Sequence, residues 1–248
     1  ERQRQSLHVS HIDCQLNKTC EQVVDTVLKF TDYKDDVRVL RFVSFNNCSA
    51  HRTKADLQTI IYDHIVEDRR LNSVGKALGK EFRHVYEGGM SPLGRTRRER
   101  YIRANQVQRC QQLTEKFEAV TYDFYNPNVI AATQSTLLNT MNKKGPLANY
   151  IGELSKRGQV IIWVDEASQM AAKLIAVLAK TFPTAIHRYT GDPKQLQPFH
   201  KRGTPPILGL VPRRTLRGCR RMHPMLTRIA SRHFYNGTLN SAIKAEER

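Results

Sequence analysis

Cysteine is scarce in this 248-residue sequence, and long apolar runs are missing from it. The five cysteines are widely spaced and never form a Cys-x-x-Cys pair, so a zinc site is not expected and a reducing compartment is favoured. The longest uninterrupted apolar run, Val160–Val164, is far too short to cross a bilayer, and the first residues lack the apolar core of a signal peptide. We therefore expect an intracellular protein, nuclear or cytoplasmic, with no membrane partner.

Acidic residues are few relative to basic ones. The sequence has 40 Lys and Arg residues against 23 Asp and Glu residues, a formal net charge of +17. Such an excess attracts polyanions, so nucleic acid is the first partner to consider. Part of the excess lies in two clusters, and a solvated helix face explains the first of them equally well. The first contains Arg95, Arg97, Arg98, Arg100, Arg103 and Arg109, and the second contains Lys201, Arg202, Arg213, Arg214, Arg217, Arg220 and Arg221.

Short apolar segments predict an α/β fold with a parallel sheet. Three of them are typical of buried parallel strands, since polar residues and then a helical pattern follow. The second leads through an acidic turn into a helix at 171–180, which makes a βαβ unit. A further βαβ unit is expected where strands at 7–12 and 37–43 flank a helix at 18–30. The three runs cover residues 129–132, 160–164 and 185–189.

The length suffices for one large α/β domain, or for one domain and the beginning of a second. We expect residues 1–200 to form the first domain, with a basic insertion of helical pattern at about 53–124. Proline and glycine indicate a linker at 201–212, after which residues 213–248 begin a second domain. Its first helix is predicted at about 224–235.

Two carboxylates, Asp165 and Glu166, directly follow the apolar run at 160–164. They are therefore expected at the carboxyl edge of the sheet, where open α/β folds bind ligands. Hydrolysis of ATP requires one carboxylate that holds Mg²⁺, usually through water, and one that polarises the attacking water. Asp165 suits the first role and Glu166 the second. The alternative is that the pair caps a helix beginning near Ala167.

The next predicted strand ends in residues 190–198, one βαβ unit downstream and on the same sheet edge. Gln195 can hydrogen-bond a γ-phosphate or its attacking water, and Gly191 allows a tight turn. This loop could therefore sense whether a phosphate is present. The alternative is an ordinary Gly-Asp-Pro turn.

Three motifs in this order resemble those of superfamily 1 helicases, in the branch of the nonsense-mediated-decay helicase and senataxin. Residues 165–169, Asp-Glu-Ala-Ser-Gln, are similar to motif II, and residues 191–198, Gly-Asp-Pro-Lys-Gln-Leu-Gln-Pro, to motif III. Residues 221–224, Arg-Met-His-Pro, and 234–237, Phe-Tyr-Asn-Gly, resemble the opening of that branch's second RecA-like domain. Three motifs in the right order are more specific than any one of them.

The resemblance implies a RecA-like parallel sheet with helices on both faces, and two RecA-like domains that clamp ATP and Mg²⁺ between them. It implies roles for six residues. Glu166, Gln195 and Arg221 would be catalytic, with Arg221 as an arginine finger, whereas Asp165, Gly191 and Asp192 would bind the nucleotide, with Asp165 holding Mg²⁺ through water.

Two further residues are assigned to nucleic-acid binding by the same analogy. Asn17 lies in a segment similar to motif Ia, and Thr133 ends a strand similar to a motif that contacts phosphates. The implied partner is single-stranded RNA or DNA. The sequence departs from the family at Cys14-Gln15-Leu16, where an Ala-Pro-Ser/Thr segment is expected, and at Arg220, where an aromatic residue is expected.

The main departure is the phosphate-binding loop, because Gly-x-x-x-x-Gly-Lys-Ser/Thr does not occur in the sequence. The glycine- and lysine-containing stretch at 75–81 has the wrong spacing and no preceding strand. In the family this loop precedes motif Ia, so we expect it upstream of Glu1, with the last motifs beyond Arg248. The chain would then be a helicase or translocase fragment that hydrolyses ATP poorly and binds nucleic acid. The alternative is a non-catalytic, helicase-like scaffold that binds nucleic acid or protein.

Overall fold

The structure of the protein, a computed structural model, describes residues 9–14, 17–31, 37–42, 53–89, 96–196 and 214–243. The chain divides into two compact units. The first contains Glu1–Asp165 and Ala176–Thr190, and the second contains Glu166–Ile175 and Gly191–Arg248. In the described ranges the chain is mixed α/β, with eight α-helices and a parallel sheet, which agrees with the class expected from the sequence.

Five parallel strands form the sheet of the first unit, in the order β2-β3-β1-β4-β5. Strand β1 is central, and its Ile12 is aligned with Ala131 of β3 on one side and Trp163 of β4 on the other. Because all five strands run in one direction, their carboxyl ends share one sheet edge. The strands are β1 (Val9–Cys14), β2 (Val39–Phe42), β3 (Val129–Thr133), β4 (Val160–Val164) and β5 (Ile186–Tyr189).

The strand positions agree closely with those predicted, but their surroundings differ in two respects. Strand β3 lies between β1 and β2, so the connection through the first helix skips one strand position. The expectation of three buried strands is correct for the middle of β3 and wrong for β5, which has no buried residue. In β4 burial alternates, and Trp163 is 40% exposed. An apolar run does not reveal whether a second layer covers both faces of its strand.

Helices account for most of the first unit. Between β2 and β3 the chain is largely helical, as the pattern at 53–124 suggested, whereas two helices between β3 and β4 were not predicted. The helices are α1 (Asn17–Thr31), α2 (Leu57–Ile60, continued by a π-helical turn at Ile61–Ile65), α3 (Ser73–Gly89), α4 (Arg97–Tyr125), α5 (Gln134–Lys143), α6 (Pro146–Lys156) and α7 (Ala172–Thr181), the last of which extends across both units.

Helices α3 and α4 pack through an aromatic core. Phe82 is stacked on Tyr86 at 5.6 Å and meets the edge of Phe117 at 5.9 Å between ring centroids, and all three rings are buried. Near the end of α3 a Cβ atom at Gly88 would lie 2.3 Å from Gln106 Nε2. A larger residue at this position would require the end of the flexible Gln106 side chain to move aside.

Local signals define both ends of α4. At its start Thr96 and Glu99 form a reciprocal capping box, in which each side chain accepts from the other residue's backbone N–H. At its end Asn126 adopts a left-handed conformation and its N–H donates to Tyr122 O at 3.1 Å. The 29 residues between them form one continuous helix.

A buried ion cluster joins β2 to the helical region. Arg41 is 1% exposed and Asp56 is 0% exposed, and the guanidinium donates to both carboxylate oxygens. Arg41 also pairs with Glu21 of α1 at 3.0 Å, and Thr53 donates to Asp56 through its backbone N–H and its hydroxyl. Burial acts to lower the pKa of Arg41, but its bonds to Asp56 and Glu21 outweigh this effect and raise it.

The second unit contains helix α8 (Pro224–Phe234) and two short strands, β6 (Gly218–Cys219) and β7 (Asn240–Ser241), which pair in parallel. His223 caps α8, since its Nδ1 accepts from Met225 N at 3.2 Å, and Pro224 occupies the first turn, where its missing N–H costs nothing. The helix thus lies where the sequence predicted it. Within the described ranges no helix is long and apolar enough to cross a membrane.

Candidate active site at the carboxyl edge of the sheet

The carboxyl edge of the sheet collects several residues selected from the sequence. Strands β1, β3 and β4 end at Cys14, Thr133 and Val164, and the register aligns Cys14 with Thr133. Asn17 is the first residue of α1, which follows β1, and Asp165 directly follows β4. Because the strands are parallel neighbours, these positions share the edge at which α/β sheets bind ligands.

Thr133 has a structural role at this edge. It is the N-cap of α5, where its hydroxyl oxygen accepts from Thr136 N at 3.3 Å and lies 2.8 Å from Thr136 Oγ1. The residue is intermediate in exposure, neither buried nor fully exposed. A phosphate contact by Thr133 therefore remains a prediction, and the cap explains why threonine suits this position.

The Asp165 carboxylate is held by a threonine that the sequence did not single out. Thr190, directly after β5, donates its hydroxyl to Asp165 Oδ1 at 3.1 Å, and its N–H donates to Val164 O at 2.8 Å. Trp163 Nε1 donates to the same hydroxyl oxygen at 3.2 Å. Asp165 Oδ2 has no hydrogen bond to any described residue. One oxygen is therefore fixed, and the other is available to a ligand.

Glu166 has an unusual backbone conformation. Its φ of 51° and ψ of 38° place it in the left-handed region, which costs a residue other than glycine about 1–2 kcal/mol. Glu166 precedes a short 3₁₀ helix, Ala167–Gln169, yet its side chain makes no capping hydrogen bond. The capping alternative considered for this carboxylate therefore does not describe Glu166. Strain of this kind is typical of functional positions.

Next to Glu166, Ser168 is completely buried, and its hydroxyl has no hydrogen-bond partner within the described part of the chain. A buried hydroxyl without a partner costs about 1–3 kcal/mol. The segment 166–168 thus combines backbone strain with an unsatisfied polar group, two costs that a purely structural turn would not be expected to carry.

The loop after β5 is organised around Asp192. Lys194 N donates to Asp192 Oδ1 at 2.9 Å, and Gln195 Nε2 donates to Oδ2 at 3.1 Å. Gln195 N also donates to Asp192 O at 3.1 Å, so the tight turn spans 192–195 with Pro193 in its second position. Gly191, expected to form the turn, is an exposed residue just before it.

Tyr235, at the end of α8, binds the same carboxylate. Its hydroxyl donates a short hydrogen bond to Asp192 Oδ2, and this bond raises the pKa of Tyr235 to about 12. Partial burial opposes ionisation of Asp192, but bonds from Tyr235, Lys194 and Gln195 outweigh it, so the pKa of Asp192 lies below its ordinary value. Asp192 therefore stays charged and fixes the Gln195 side chain. The sequence placed Tyr235 in the Phe-Tyr-Asn-Gly motif but did not predict this contact.

Arg221 lies in the second unit, three residues before α8, and its side chain is exposed. The neighbouring Arg220 is exposed as well. The stretch at 75–81 that superficially resembles a phosphate loop lies inside α3, so its backbone N–H groups are used by the helix and cannot cradle a phosphate.

The described residues fit one side of a Mg²⁺-nucleotide complex. Mg²⁺ in nucleotide sites is held by one or two carboxylates, water and the phosphates themselves, and Asp165 offers one free oxygen for this purpose. No cluster of three or more metal-binding side chains occurs in the described ranges. Glycine-rich backbone for the phosphates is not provided by this sequence. One free carboxylate oxygen is therefore what the described residues offer to such a complex.

Comparison with protein-family models and with curated proteins found no match to this chain. The assignment of a function consequently rests on the residues and the geometry described above.

Proposed function

We propose that the chain is part of a nucleic-acid-dependent ATPase of the superfamily 1 helicase type, with a RecA-like first domain at 1–200 and the start of a second at 213–248. The observation that carries the proposal is Glu166 in a left-handed conformation directly after Asp165, at the carboxyl end of a parallel strand. Backbone strain and a carboxylate with a free oxygen occur together here, as they do in sites that bind a ligand.

The chemistry assigned to these residues is hydrolysis of the γ-phosphate. Glu166 accepts a proton from water while the water oxygen attacks the γ-phosphorus, and the bond to the β–γ bridging oxygen breaks to give ADP and phosphate. Asp165 would hold Mg²⁺ through water, and the metal ion would neutralise charge on the phosphates. Gln195 hydrogen-bonds the γ-phosphate or the attacking water, and Arg221 stabilises negative charge in the transition state.

The proposed partner is single-stranded RNA or DNA. Asn17 and Thr133 follow neighbouring strands at the same sheet edge as Asp165, which would let strand binding and hydrolysis share one set of loops. The net charge of +17 supports a polyanionic partner. Coupling of hydrolysis to movement along the strand is the function that this arrangement serves in the family it resembles.

The test is ATP hydrolysis with and without oligouridine, by the longest natural polypeptide that contains residues 1–248 and by its Glu166→Gln variant. We expect stimulation by the oligonucleotide and a loss of about 100-fold or more in the variant, because a general base contributes about 10²–10⁴-fold. Glu153→Gln, at an exposed glutamate of α6, is the control and should retain full activity. Equal rates for wild type and Glu166→Gln would sink the catalytic assignment.

The second candidate is a non-catalytic scaffold that keeps the basic surface for nucleic acid or protein. The observation in its favour is the lack of a glycine-rich lysine loop in the sequence, together with Cys14-Gln15-Leu16 and Arg220 at positions where the family differs. The same experiment separates the two, since a scaffold binds oligouridine but shows no hydrolysis above the Glu166→Gln background.

A further inference from the structure

The first turns of α4 present an exposed basic and aromatic surface. We name Arg97, Arg98, Arg100 and Tyr101 the arginine–tyrosine face. All four residues are exposed, and Tyr101 retains 68% of its accessible surface. Ile102 beside them is 48% exposed. Tyr101 and Ile102 next to three arginines give this surface exposed apolar area as well as positive charge.

Helical geometry puts the tyrosine among the arginines. Residues three and four apart are neighbours on a helix surface, so Tyr101 lies beside Arg97 and Arg98. Arg100 is one turn from Arg97 on the same side. The packed side of α4 is the opposite one, where Cys110, Leu113 and Phe117 are buried. The arginine–tyrosine face therefore points away from the core.

The arginines of this face differ from three others in the helical region, which are paired. Arg109 bonds Glu81 at 2.6 Å, Arg83 bonds Glu67 at 2.6 Å, and Arg70 bonds Asp68 at 2.7 Å. In such pairs a carboxylate already neutralises the positive charge of the arginine, which is then less available to a polyanion.

By contrast, Arg97, Arg98 and Arg100 have no carboxylate partner among the residues that the structure describes. The one acid nearby, Glu99, accepts from Thr96 N in the capping box. Three guanidinium groups on about one helical turn are thus left available to an external anion.

We propose that the arginine–tyrosine face binds single-stranded nucleic acid, with its arginines on successive phosphates and an unpaired base stacked on Tyr101. Guanidinium groups match phosphate geometry, and an accessible aromatic ring stacks on any base that is not in a duplex. The positive charge of the face favours a polyanion as its ligand, and the exposed ring of Tyr101 favours a single strand over a duplex. The inference rests on the proposed function, in that it names one contact of the nucleic acid on which the ATPase depends.

The experiment measures fluorescence anisotropy of labelled oligouridine against protein concentration at several salt concentrations. The double variant Arg97→Ala/Arg100→Ala should bind about tenfold more weakly and should lower the salt dependence by about 0.7 per lost phosphate contact. Arg69→Ala/Arg157→Ala removes two other exposed arginines and is the charge-matched control, which should change affinity less than twofold. Far-UV circular dichroism checks that each variant is folded.

The tyrosine is tested separately. Tyr101→Ala should weaken binding about fivefold or more, since stacking on one base contributes measurably to single-strand affinity, and should leave the salt dependence unchanged. Tyr101→Phe keeps the ring and should bind as wild type does. A blunt-ended RNA duplex of equal charge should not distinguish Tyr101→Ala from wild type.

The outcomes separate this inference from the proposed function. If wild type binds no oligonucleotide, both are overturned. If wild type binds but Arg97→Ala/Arg100→Ala behaves like the control pair, the surface is wrong and the proposed function stands. If polyglutamate displaces oligouridine at equal charge concentration, the face binds acidic protein instead and the inference is overturned.

Discussion

Two carboxylate sites in this molecule, Asp56 and the pair Asp165 and Glu166, have opposite surroundings. Asp56 is fully buried, and both of its oxygens accept hydrogen bonds from Arg41 and Thr53. Asp165 and Glu166 are half-buried at the sheet edge, where one oxygen of Asp165 is bonded to Thr190 and the Glu166 side chain caps nothing. The first group is saturated with internal partners, and the second is not.

The difference indicates the role of the carboxylates at each site. A buried charge must be fully paired, because an unpaired one costs several kcal/mol. The Arg41–Asp56 pair therefore belongs to the fold and fixes β2 against the helical region. A half-buried carboxylate with a free oxygen costs little, and that oxygen can coordinate a metal ion or accept a hydrogen bond from water. Four substitutions test whether the two sites differ in this way.

The largest expected effect is on stability, from Asp56→Ala. The variant leaves Arg41 buried with one fewer carboxylate, so the free energy of unfolding should fall by about 3–5 kcal/mol. Urea unfolding followed by circular dichroism measures it. Asp63→Ala, at an exposed aspartate, is the control and should change stability by about 0.5 kcal/mol or less. A loss below about 1 kcal/mol for Asp56→Ala would mean that the buried pair is not structural.

A gain is expected from Glu166→Gly. Glycine adopts the left-handed conformation freely, so relief of the strain should stabilise this variant by about 1 kcal/mol relative to wild type. The larger conformational entropy that glycine loses on folding offsets part of this gain. Glu166→Val should be less stable, since a β-branched residue fits this conformation poorly. The same urea titration measures both. If Glu166→Gly is less stable than Glu166→Val, the strain assigned to the backbone of Glu166 is absent.

A smaller effect on stability is expected from Asp165→Ala. The variant removes one partly exposed hydrogen bond from Thr190, which contributes about 0.5–1.5 kcal/mol. The hydrolysis of ATP proposed for this chain should nevertheless be lost in the variant, in contrast to Asp56→Ala. A loss of stability as large as that of Asp56→Ala would remove the distinction between the two groups.

The smallest effect is an alkaline titration at Tyr235. Because the pKa of Tyr235 is raised, its bond to Asp192 contributes stability below about pH 10 and loses it as the pH rises through about 12. The difference in tyrosinate absorbance between wild type and Tyr235→Phe should therefore show one group that titrates near pH 12. In Asp192→Asn the midpoint should fall toward 10. A wild-type midpoint near 10 would contradict the hydrogen bond.

Much of the fold followed from local pattern. The strand at 160–164 was located to the residue because five apolar residues are bounded by polar ones, and Pro224 marked the start of α8. Helix α5 was missed because its polar residues obscure the periodicity, whereas α6 offers both a start signal, Gly145-Pro146, and the buried residues Leu147, Ala148 and Ile151 at helical spacing. Strand order was not predictable, since the position of β3 between β1 and β2 depends on long-range packing.

The residues of the candidate site could be predicted only in part from local sequence pattern. A strand that ends in Asp165-Glu166 predicts carboxylates at the sheet edge, and they lie there. Thr190 and the contact of Tyr235 with Asp192 were not foreseen, because both depend on residues distant in sequence. The left-handed backbone of Glu166 has no sequence signal, since glutamate is not typical of that conformation.

The length of α4 has a geometric consequence. At 29 residues and 1.5 Å per residue the helix is a rod of about 43 Å. Its far end is tied to the start of β2, where Tyr125 Oη donates to Val39 O and Arg38 Nε donates to Asn126 O. The arginine–tyrosine face at the start of α4 therefore lies about 40 Å along the helix from that attachment.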